Sequence, residues 1–169
     1  MACSELLDCR CEEEKFVSFH RVSRHGTSPV RTEQGIILYY LKLYVLTFIG
    51  FLAIDLVWLG LVARGFYRRQ LAFLLSDQPN WLAAIVFYLL FVAGLLVFAV
   101  VPGLQAGSLR KALFLGAFFG LVAYATYDLT NLATIRNWPW IVTVVDMAWG
   151  AALASAVSGI GYLIGHWLR

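Results

Sequence analysis

Three aspartates, Asp55, Asp128 and Asp146, interrupt runs that are otherwise free of charge. Beyond Glu33 the chain holds one other acidic residue, Asp77, so nearly all of its later acids stand where a charge is hardest to place. An Asp at the centre of a membrane helix costs about 2.5–3.5 kcal/mol on insertion scales, which marks such positions as candidates for chemistry. Residues three or four apart share a helix face. That spacing sets Trp58 beside Asp55, Trp149 beside Asp146, and Tyr124 and Asn131 beside Asp128, with Tyr127 adjoining. Carboxyls crowded into low dielectric disfavour one another's ionisation, so the group can hold a proton, a cation or a polar head group. General acid–base work by Asp128, with Asn131 orienting a substrate, is a second chemistry. The third is structural: hydrogen bonds to Asn131, Thr130, Thr126, Tyr124 or Tyr127 that keep the helices in register.

Other chemistries lack their residues. A carboxylate-bridged di-iron bundle needs Glu-x-x-His pairs, yet no Glu follows Glu33. Zinc would be bound by Cys and His, but Cys3, Cys9, Cys11, His20 and His25 all precede the apolar runs and His166 stands at the far end of the last one. Serine catalysis has no histidine partner. Gly159, Gly161 and Gly165 follow no strand, so they form no dinucleotide loop. No metal and no cofactor is expected, and any enzymatic step falls to aspartate.

The elements that position these acids follow from composition. Hydrophobic residues make up 61% of the 169, charged residues 14%, and mean hydropathy is +0.76. Soluble proteins carry about 25% charged residues, so the chain is an integral membrane protein. The net charge of +3 is scattered through short connections, which argues against nucleic acid as a partner. Residues 1–35 hold six of the ten acids and read as a polar, disordered tail. Residues 36–169 read as one membrane domain with spans at about 43–63, 81–101, 112–135 and 140–165, each near the roughly 20 residues needed to cross hydrocarbon. Backbone groups in lipid must be satisfied internally, so these spans are helices.

The fold class is therefore all-α, a four-helix transmembrane bundle. Between spans one and two, Phe66, Tyr67, Leu71, Phe73 and Leu74 alternate with Arg64, Arg68, Arg69 and Gln70, which suits a short interfacial helix or an extension of the first span. The tight Arg136–Pro139 connection makes spans three and four a hairpin. Asn80 and Asn137 are candidate helix caps. Basic residues flank the two faces almost equally, five against four, leaving orientation open, with the tail favouring both termini inside. At 1.5 Å per residue, Asp55 lies about 12 Å inside the Ala63 end, Asp128 roughly 10–12 Å inside the Ile135 end, and Asp146 about 9 Å inside Trp140. All three share one layer, on the side of the Arg-bearing link. Gly116-x-x-x-Gly120 and Gly161-x-x-x-Gly165 suit close helix packing and offer faces to a second copy.

The blocks Asp55-Leu-Val-Trp58-Leu-Gly60, Gly65-Phe-Tyr-Arg-Arg69, Asp77-Gln-Pro-Asn-Trp81, Tyr124-Ala-Thr-Tyr-Asp-Leu-Thr-Asn131 and Val145-Asp-Met-Ala-Trp-Gly150 resemble the bacterial membrane proteins grouped as domain of unknown function family 2177. The resemblance runs from about Tyr40 to the C-terminus. It implies a small multi-pass protein of a bacterial cytoplasmic membrane, without a mechanism. The residues lead to the expectation of a protein that binds or moves a small or lipid-like molecule through a half-membrane cavity at Asp55, Asp128 and Asp146. Arg68 or Arg69 would attract an anionic group at its mouth. A lipid-modifying enzyme and a membrane-complex assembly partner are the alternatives.

Overall fold

A computed structural model describes residues 33–74 and 78–169. The chain divides into two compact units, Met1–Ile37 and Leu38–Arg169. In the first, only the helical residues 33–37 are described, so the expected disordered tail lies outside the described residues up to residue 32. The described part of the second unit is helices joined by short turns, with no strand among the described residues. Four helices are long and apolar enough to span a membrane: Glu33–Leu61, Trp81–Gln105, Leu109–Thr134 and Trp140–Trp167. They overrun the apolar runs at several ends because capping and interfacial residues extend a helix past the hydrocarbon. Asn80 caps the second by accepting from the Ala83 N–H at 3.1 Å, and Ser108 caps the third by accepting from the Lys111 N–H at 3.3 Å.

Two spans contain a wider π turn. In the second, Leu96–Val100 ends two residues before Pro102. Proline has no N–H and crowds the carbonyl four residues earlier, and the widened turn lets the helix run on to Gln105 beyond the point where the sequence suggested an end. In the first, Trp58–Ala63 is π-helical and leads without a break into a short helix, Arg64–Leu71. The link is thus continuous with the first span. At 3.6 residues per turn Tyr67 would point about a third of a turn away from Asp55. The i→i+5 turn rotates less per residue and swings Tyr67 back towards it. Phe66, Tyr67 and Leu71 then pack on Ile135, Trp138, Ile141 and Val142, which docks the link on the corner between spans three and four.

That corner departs from the expected cap. Asn137 has φ +63°, a left-handed conformation that Asn tolerates better than most residues, so it makes the turn while Pro139 precedes the helix without a side-chain cap. Trp138, expected among interfacial aromatics, is buried, and its Nε1–H donates to Thr143 Oγ1 at 3.0 Å. Trp81, Trp140 and Trp167 are exposed at helix ends, as belt residues are.

The fourth span touches all the others. Gly161 faces Val100 and Thr47, Gly165 faces Leu104 and Tyr39, and Gly150 faces Tyr124. Gly116 and Gly120 lie against Ser158, Ala154 and Gly150. Both glycine pairs offered by the sequence to a second copy are therefore spent on packing within one chain. Tyr39 donates to the Gly165 carbonyl at 3.0 Å and Arg169 to the Leu104 carbonyl at 3.3 Å. The ends of spans one, two and four thus meet at one side, while the link and the Asn137 turn meet at the other. A Cβ on Gly120 would collide with the Gly150 carbonyl and the Ala154 methyl, whereas one on Gly65 meets nothing within 4 Å. Gly120→Ala should therefore lose about 1–3 kcal/mol through overpacking, and Gly65→Ala should hold or gain stability. Thermal unfolding in detergent checks the pair, and an unshifted Gly120→Ala would remove the close-contact account.

Candidate functional site

One layer of acids is expected from their depth in the spans. Tyr124 lines the same cavity as Asp55 and Tyr88. It is held there by packing against Gly150, whose missing side chain makes room for the ring. The acids nonetheless have three different surroundings. No three His, Cys, Asp or Glu among the described residues come close enough together to hold one metal ion.

Asp55 is 5% exposed and accepts a 2.9 Å hydrogen bond from the Tyr88 hydroxyl at its Oδ2. Asp146 accepts from the Tyr67 hydroxyl. Burial, then the bonded Asp146, hold the Tyr67 phenol well above its usual pKa, so it remains a donor. Trp58 and Trp149, one turn on from Asp55 and Asp146, stack on each other at 4.1 Å and 9°. The two Asp-x-x-Trp segments thus face each other across the first and fourth spans, each carboxyl taking a phenol from a third element. Asp128 is fully buried, and among the described residues neither of its carboxyl oxygens has a hydrogen-bond partner.

The partners that spacing suggested for Asp128 are engaged elsewhere or make no bond to it. Thr126 donates to the Val122 carbonyl at 2.8 Å, and Thr130 to the Thr126 carbonyl at 2.5 Å. Tyr127 is exposed and meets Trp138 edge-on, and Asn131 is half-buried without a bond to the carboxyl. A helix-face rule fixes which residues are neighbours, but rotamers decide which of them bond.

A cavity of about 220 Å³ lies among these groups, lined by Asp55, Trp58, Tyr67, Tyr88, Tyr124 and Trp149, with Leu59, Ala84 and Phe87 completing it. The sequence reading missed Tyr67 as a site residue and Tyr88 altogether. Tyr88 stands in a span without charge, and its one signal was a phenol far from either helix end. Arg68 and Arg69 are exposed and are not among the lining residues.

The family described as a predicted membrane protein, DUF2177, matches residues 40–163. The chain belongs to this family. No curated protein and no solved structure matches it. The DUF2177 match takes in the second and third spans, most of the first and fourth, the link helix and every residue that lines the cavity, and it leaves residues 1–39 and 164–169 outside. Four spanning helices and this membership make the chain a multi-pass membrane protein of a family whose function is unknown.

Proposed function

We propose that this DUF2177 protein binds or moves a small or lipid-like molecule through a half-membrane polar cavity whose one lining carboxyl is Asp55, with Asp128 and Asp146 outside the lining. The observation that carries the reading is the cavity itself, which Asp55 and three tyrosines line together with apolar and indole side chains. Ligand sites are mostly apolar, with few polar groups that fix orientation, and this lining has that composition. About 220 Å³ falls below the roughly 300–1,000 Å³ of pockets that take drug-sized ligands, so the site accepts a small molecule or a head group whose tail stays in lipid.

The enzymatic alternative has less support. Asp128, its candidate acid or base, is absent from the lining, and Asn131 makes no bond to it. Extracts of a deletion strain, compared after complementation with the wild type, separate the two readings. Binding or movement predicts an altered amount or distribution of an intact molecule. Loss of one covalent lipid species with gain of its precursor would contradict it.

A further inference from the structure

We propose that the cavity receives an alkylated ammonium group, held by Asp55 inside a cage of aromatic rings. This inference rests on the binding function proposed above and names its ligand class. Six of the nine lining residues are aromatic: Trp58, Tyr67, Phe87, Tyr88, Tyr124 and Trp149. One lining residue is acidic, Asp55, and none is Lys, Arg or His. Rings attract cations through the negative charge over their faces, most strongly where water is excluded, and surround quaternary ammonium ligands for that reason. A buried carboxylate that stays ionised is stabilised by a compensating cation, and Asp55 has a phenol but no base beside it on the wall. Arg68 and Arg69, expected to draw an anion, are exposed on the link outside the lining. An anionic group would meet the Asp55 charge without a counter-charge.

Inorganic cations fit this wall poorly. Calcium takes six to eight oxygen ligands and magnesium demands an octahedron, whereas the cavity offers one carboxyl and phenols, of which Tyr88 and Tyr67 already donate to Asp55 and Asp146. An alkylammonium asks for few directed bonds. Its methyl groups pack on the Trp58–Trp149 wall while its charge lies near Asp55. The source is either a free amine or the head group of a lipid whose chains remain in the bilayer.

The test is scintillation-proximity binding of labelled choline to the purified full-length chain in non-ionic detergent. The competitors are tetramethylammonium, the uncharged alcohol in which carbon replaces the choline nitrogen, and a short-chain phosphocholine lipid. Tetramethylammonium should compete at least about tenfold better than the uncharged alcohol, the advantage expected of a desolvated cation–π site. Asp55→Asn should reduce that advantage to the part the rings supply, and the wild-type comparison stands alone if the variant fails to fold. Stronger competition by the lipid than by free choline assigns the head group as the source, and weaker competition assigns the free amine. Equal competition by the charged and uncharged ligands overturns the proposal. So does an absence of choline binding. If another molecule is still found in the cavity, the cation assignment falls while the binding function survives; if nothing occupies it, both fall.

Discussion

Asp128→Asn is expected to fold as the wild type does and to lose at least about tenfold in function, while Asp128→Leu should be as stable as the wild type or more so. A buried polar group left without a partner costs about 1–3 kcal/mol, and Asp128 is fully buried with both oxygens unpartnered among the described residues. A residue kept to hold helices in register would recover that cost through hydrogen bonds to Asn131, Thr126 or Thr130, and no such bond forms. Asparagine keeps the shape and the same burden while removing ionisation. Leucine removes the burden as well. We expect Asp128 to act through its charge or its proton, the one property that asparagine removes. Thermal stability in detergent beside complementation of a deletion strain reads both halves. A stable, fully complementing Asp128→Asn protein would defeat the functional role, and a large loss of stability in Asp128→Leu would restore the structural one.

The spans were legible because lipid imposes one rule on every backbone group, and the run lengths follow from it. The expected common depth of Asp55, Asp128 and Asp146 comes from the same rule with a fixed rise per residue. Side-chain partnership was not legible. Tyr88 serves Asp55 from another helix, 33 residues away, and Tyr67 serves Asp146 across 79, distances over which periodicity carries no information. The Trp58–Ala63 π turn that re-phases Tyr67 has no proline to announce it, unlike the turn before Pro102. Trp138 followed the rule for interfacial aromatics by position, but the docked link helix covers it. Gly116, Gly120, Gly161 and Gly165 read correctly as contact positions, and only the folded chain reveals that the contacts are its own.

Filling the cavity from its least polar wall should abolish occupancy without touching an acid. Ala84 lines the cavity from the second span, so an indole in place of its methyl competes with ligand for the same space. It leaves the Tyr88–Asp55 and Tyr67–Asp146 bonds in place. A steric conflict worth about 1.4 kcal/mol already lowers occupancy tenfold, and overpacking a filled site costs about 1–3 kcal/mol. The decisive measurement is native mass spectrometry of the wild type and Ala84→Trp, each released from its own membranes in mild detergent. The wild type should retain a discrete small-molecule or lipid adduct, and Ala84→Trp, equally stable to heat, should lose it by at least about tenfold. The same adduct at the same occupancy in both proteins, or none in the wild type, would contradict a ligand in this cavity.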